Sequence, residues 1–189
     1  MKNPLLMAAA TLLTLGLAHT GSAHGQQGRG APPAAPTITT LAGDVQADWA
    51  AQKERFVSAA DAMPDDKFDY KPTPAQQSYA ARIMHVVEAN QGLAGLLGGK
   101  TPVPAVNMKA ATKAEVMTAL RLSMDYWDVV LKEFTDQQLN ERVAVEGIMA
   151  SRLRLIYGSM QHNMDIYGQM VVYLRLNGIV PPASRRGGL

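Results

Sequence analysis

At 189 residues the chain has room for one domain, and 47% of it is apolar. It contains no cysteine, which excludes a disulfide framework and lipid attachment at a lipobox cysteine, so stability falls on an apolar core. A formal net charge of +2 excludes the dense basic footprint of a nucleic-acid binder.

In chain order, residues 1–23 read MKNPLLMAAATLLTLGLAHTGSA. A basic Lys2, an apolar run from Leu5 to Ala18, and small residues at Gly21 and Ala23 form the pattern of a secretory signal cleaved after Ala23. The run is too short and wrongly flanked for a membrane anchor. The expected destination is periplasmic or secreted, with no membrane attachment after cleavage. Residues 24–38, HGQQGRGAPPAAPTI, lack periodic apolar positions and read as a flexible leader. Cleavage would expose His24, whose amine and imidazole can chelate copper, although a histidine beside a cleavage site is usually incidental.

Residues 39–184 are expected to fold as an all-α four-helix bundle, with 185–189 as a disordered tail. The first helix is predicted from Thr40 to Ala62, with Leu41, Val45, Trp49, Phe56 and Ala60 near one face. The second is predicted to open at Thr73–Gln76 as a capping box with Pro74 at the first helical position. Its stripe is Ala80, Ile83, Met84 and Val87, continued by Leu93, Leu96 and Leu97. The third opens on a second capping box, Thr112–Glu115, and carries Val116, Leu120, Met124, Trp127, Leu131 and Phe134 at helical spacing. Its other face holds Arg121, Asp125, Asp128 and Lys132, read as a solvated charged face.

The fourth helix is predicted from Ile148 to Asn177, ending on Gly178 with Ile179 as the apolar follower. Leu153, Ile156, Met160, Met164, Tyr167, Val171 and Leu174 form its main stripe. A second row, Leu155, Ser159, His162, Ile166, Gln169 and Tyr173, runs on another side. A helix apolar on two sides is central in its bundle. The links between helices 2 and 3 and between helices 3 and 4 are both long enough to cross the bundle. The methionines are dispersed along the stripes, which suits core filling better than a copper site.

There is no phosphate-binding glycine loop, nucleophile elbow or cysteine nucleophile. What remains is a matched pair of patterns, HVVE at His85–Glu88 and HNMD at His162–Asp165. Each sets an imidazole and a carboxylate three residues apart on a helix. Bundles build metal sites from inward-pointing residues of facing helices, and neutral imidazole suits zinc, nickel, iron or copper. The structural alternative is as economical. His85 and Glu88 can be an ordinary surface pair, and His162 can donate to a buried carbonyl, to Tyr79 or to Tyr167.

Four segments carry a family resemblance: the connector AMPDDKFDYKPTPAQQS, the histidine within IMHVVEAN, the ending YGQMVVYLRLNGIVPPAS, and the histidine just over one turn before that ending. Over about Leu41 to Ser184 the chain resembles DinB/YfiT-like proteins. The resemblance implies an up-down-down-up bundle and a divalent metal, zinc or nickel, held by three histidines. One of these lies on the second helix and two lie on the fourth at i,i+4. It also implies thiol transfer or isomerisation in some relatives, no known activity in many, and homodimers in a good share. His85 and His162 match two of the ligands. The third position holds Ile166, which cannot bind a metal. Asp165 or Glu88 could substitute as third ligand, or the site is weak or absent, which is the reading adopted. The expectation is an exported binding or scaffold domain with a small-molecule ligand that is not specified. The alternative is a metal-dependent thiol transferase or hydrolase using His85, His162 and a carboxylate.

Overall fold

The computed structural model describes residues 40–145 and 147–185. The expected signal, the leader and residues 186–189 of the tail lie outside the described residues. Four long helices form the body: α1, Leu41–Ala62; α2, Tyr79–Leu96; α3, Lys113–Val130; and, after a short α4 at Asp136–Asn140, α5 at Arg152–Leu176. The fourth helix of the sequence pattern is therefore α5. Among the described residues no helix is long and apolar enough to cross a membrane.

Each long helix starts on a hydroxyl cap, which satisfies one of the amides left free in the first turn. Thr40, Ser78, Thr112 and Ser151 accept from Gly43, Ala81, Glu115 and Arg154 respectively. The capping box at Thr112–Glu115 forms with both reciprocal bonds, as its spacing predicts. At the other end, Gly178 stands at φ 73°, a region other residues avoid. It lets the Gly178 amide reach the Arg175 carbonyl at 3.0 Å and the Ile179 amide reach that of Leu174 at 2.9 Å. That is the predicted glycine stop.

Paired contacts give the helix directions. Lys53 of α1 meets Asp125 and Asp128 of α3, and Lys113 at the start of α3 reaches the Asp61 carbonyl at the end of α1. These two helices are antiparallel. α2 and α3 end together, because the Trp127 indole donates to the Asn90 carbonyl at 3.3 Å and Tyr126 to the Thr101 carbonyl at 3.2 Å. α5 opposes α2, since Arg152 reaches the Leu97 carbonyl and Tyr173 the Gln77 carbonyl. The order is up-down-down-up. It obliges the link from Leu97 to Thr112 to run back along the bundle. Glu133 pins the start of that link by accepting from the amides of Lys100 and Thr101 and from the Thr101 hydroxyl. Gly99 fits there because a Cβ would come within 2.2 Å of Val130 Cγ2.

Trp49 and Trp127 stack at the core with centroids 4.8 Å apart, among Phe56, Tyr79, Ile83, Leu120, Met124 and Ile156. An aromatic pair of this kind adds about 1 kcal/mol beyond its buried area.

Three local expectations need correction. The second helix opens at Tyr79, not at Thr73. Thr73–Gln76 closes only an isolated turn, and the Tyr79 and Ala80 amides bond back to Tyr70 and Phe68, so Ser78 becomes the cap. Residues Ile148–Ser151, expected to begin a helix, form β2 and pair antiparallel with β1, Arg142–Val145, in the register Val143 to Ala150. β-branched residues at Val143, Val145 and Ile148 favour that hairpin over four more residues of helix. On α5 the core face lies between the two predicted rows. Ile156, Ser159, Met160, Asn163, Ile166, Met170, Tyr173 and Leu174 are buried, while Leu153, Met164, Tyr167 and Val171 are half-buried.

Arg152 ties the hairpin end together, a role its sequence position did not announce. Its Nε donates to the Leu97 carbonyl at 2.6 Å, its Nη1 reaches Gln138 and Glu141, and its guanidinium stacks 4.5 Å over Phe134.

Candidate functional site

α2 and α5 lie side by side and antiparallel, which brings the two matched histidine patterns together. The imidazoles of His85 and His162 sit edge to face, with centroids 4.9 Å apart and planes at 78°. Both side chains are half-buried. His162 Nε2 is buried and has no hydrogen-bond partner among the described residues. Burial pushes the His162 pKa below its ordinary value, the neighbouring His85 adds to this, and Asp165 opposes it. The neutral ring is the form that coordinates metals. The simple structural alternative, a histidine satisfied by a carbonyl or a tyrosine, is not what forms. Tyr79 gives its hydroxyl to the Ala59 carbonyl at 2.6 Å instead.

The remaining candidates do not join the pair. Ile166, one turn beyond His162, is 3% exposed and packs in the core. Glu88 and Asp165 are both exposed, and Asp165 accepts from Gln169 Nε2 at 2.9 Å. Among the described residues no three histidines or carboxylates stand close enough to hold a metal ion. The three-donor set implied by the resemblance does not fit these side chains, because its third position is hydrocarbon and both substitutes are exposed.

A second polar cluster on the same two helices was not singled out from the sequence. Asn90 Oδ1 accepts from Ser159 Oγ at 3.1 Å and from Asn163 Nδ2 at 3.2 Å, and all three residues are fully buried. A partial signal was present, since asparagine is a poor helix former and Asn90 stands mid-helix in line with the apolar stripe of α2. Asp125 and Asp128 belong to a largely exposed face, as expected, and also pair with Lys53 across the α1–α3 seam. Lys53 lies at the edge of a groove of about 510 Å³ that includes Glu54, Asp61 and Arg121.

The antiparallel α2–α5 pair and the crossing link between α2 and α3 match a known bundle architecture. A sequence profile of the DinB superfamily covers residues 48–170, a span that includes His85, His162 and Ile166. The chain belongs to the DinB superfamily. Its structure is similar to that of a DinB-like protein from Bacillus cereus, with 19% identity and a TM-score of 0.65, over 77% of this chain and 98% of that one. It is also similar to a DinB-like protein from Bacillus subtilis, with 17% identity and a TM-score of 0.59, over 71% of this chain and 92% of that one. At such identities the likeness shows the DinB fold alone. No curated protein matches the chain.

Proposed function

We propose that this DinB-superfamily chain is an exported binding or scaffold domain in which the divalent-metal pocket has degenerated. One observation carries the reading: Ile166, at the position that the resemblance assigns to a third imidazole beside His85 and His162, is a buried hydrocarbon. Two imidazoles alone make a weak zinc or nickel site, because stable protein sites supply at least three donors. The export half of the proposal rests on Lys2, the apolar run to Ala18 and the small residues before His24.

The test is metal content. Protein taken from its native compartment without a histidine tag should carry far less than one equivalent of zinc or nickel by elemental analysis. A near-stoichiometric metal that disappears in His162→Ala would overturn the reading. N-terminal sequencing of the same sample should begin at His24, and retention of Lys2 would overturn the export proposal.

A second reading is a metal-dependent thiol transferase or hydrolase using His85, His162 and a carboxylate. What favours it is the His162 Nε2 itself, buried, unpartnered and biased toward the neutral form. In that case the two imidazoles would hold the metal, and the metal would supply Lewis acidity.

A further inference from the structure

Beside the histidine pair, the α2–α5 seam opens into a recess of about 440 Å³ between the Pro72–Gln76 connector, α2 and α5. Arg82 lines it from α2, one turn before His85. Gln169, Val172, Tyr173 and Leu176 line it from α5. The volume falls in the range of small-molecule sites.

The polar groups of this wall differ in one respect. Gln169 Nε2 is committed to Asp165, the Tyr173 hydroxyl to the Gln77 carbonyl, and Gln76 Oε1 to Arg82 Nη2 at 2.9 Å. Arg82 is not balanced in the same way. Among the described residues, only the one of its five N–H groups that faces Gln76 has a protein acceptor, its buried Nε has none, and no carboxylate pairs with it. A guanidinium in a partly dehydrated recess favours a charged, two-oxygen acceptor over water. Val172 and Leu176 stand at the mouth, 51% and 58% exposed, and offer hydrocarbon for an apolar tail. The larger α1–α3 groove differs, because Lys53 is already matched by Asp125 and Asp128 and its second cation, Arg121, is exposed to water.

We infer that this recess binds a small organic carboxylate with an apolar tail, with Arg82 holding the carboxylate and Val172 and Leu176 covering the tail. The inference rests on the reading of the chain as a binding domain, but not on the state of the histidine pair.

Calorimetric titration of the metal-free full chain with octanoate tests it. Octanoate should bind saturably at one site. Arg82→Gln should weaken it at least about tenfold, the loss expected when a charge-assisted hydrogen bond is removed. Leu176→Asp sets a like charge at an exposed position that folding does not need, and it should weaken binding comparably. Octanamide, the uncharged isostere, should bind at least about tenfold more weakly than octanoate. Absence of saturable binding, equal binding of octanamide, or unchanged affinity in the two variants would each overturn the inference. Metal content of the same samples reports separately on the degenerate-pocket reading, so the two can fail independently.

Discussion

α2 and α5 carry two polar clusters within two turns of each other, and the clusters obey different rules. Asn90, Ser159 and Asn163 are fully buried and share a hydrogen-bonded centre. His85 and His162 are half-buried, touch through their rings, and leave Nε2 of His162 without a partner. A buried polar group without a partner costs about 1–3 kcal/mol, a cost that hydrogen bonds made elsewhere in the same cluster can offset. The amide layer has unpartnered buried atoms of its own among the described residues, Asn90 Nδ2 and Asn163 Oδ1, but its bonds to Asn90 Oδ1 cross the seam and tie α2 to α5. The histidine pair makes no hydrogen bond across the seam among the described residues. The difference separates a polar layer bonded across the seam from a ring pair that is in contact but not bonded.

The sharpest way to break that comparison is to remove the centre of the amide layer. Asn90→Ala strips the shared acceptor from Ser159 and Asn163 and leaves a cavity, and it should cost about 2–4 kcal/mol in urea unfolding. His85→Ala in the same assay should cost less than about 1 kcal/mol, as expected for a half-exposed ring without hydrogen bonds. Equal costs would mean that the histidine pair is as structural as the amides.

The helices, their caps and the glycine stop were legible because each depends on local spacing: Thr112 with Glu115, Gly178 with Ile179, and Val116 to Phe134 at three and four. The hairpin at Arg142–Ser151 was not. Its residues are few, and a short apolar run is ambiguous between strand and helix. The opening of α2 was misplaced because a good capping pattern at Thr73 competes with tertiary bonds from Tyr79 and Ala80 that no local rule contains. At the site, the meeting of His85 and His162 was legible from their matched helical positions and family resemblance. The outward course of Glu88 and Asp165 was only half legible. The reading of His85 and Glu88 as a surface pair placed Glu88 outside, whereas Asp165 was left open as a substitute ligand. The amide layer was missed because the two predicted rows on α5 straddle its true core face, and Asn163 fell between them.

The second prediction converts the histidine cluster rather than deleting it. Ile166→His restores the i,i+4 histidine pair on α5 opposite His85. Changes outside the ligand set already alter metal affinity by about 10–100-fold, so adding a ligand should raise zinc or nickel affinity at least about a hundredfold in competition with a chelating dye. No gain would mean that position 166 does not face the pair and that the family alignment of α5 is misplaced.

A smaller effect lies in pH. The folded His162 pKa lies below its ordinary value near 6.5, chiefly through burial and then through His85. The unfolded chain therefore binds more protons in the window just below that value. Stability is fully present above it, declines as pH falls through it, and levels once folded His162 is itself protonated. Urea midpoints of chelator-treated protein at about pH 7.5 and about pH 5 should show the decline, and His162→Leu should flatten it. A slope that survives the substitution belongs to other groups.

The smallest expected effect discriminates the two functional readings most directly. Glu88 and Asp165 are exposed, and Asp165 is engaged with Gln169. Neither has been dehydrated toward the histidines, and Asp165 projects about 100° around the helix from Ile166. Glu88→Gln and Asp165→Asn should therefore leave zinc or nickel affinity unchanged in the wild-type background. A carboxylate ligand behaves otherwise, since its amide loses the anionic charge that holds a divalent ion while keeping its shape. A tenfold loss in Glu88→Gln alone would show that binding draws this side chain inward from α2. The pair would then become two histidines and a carboxylate, and the enzymatic reading would gain the third donor that Ile166 withholds.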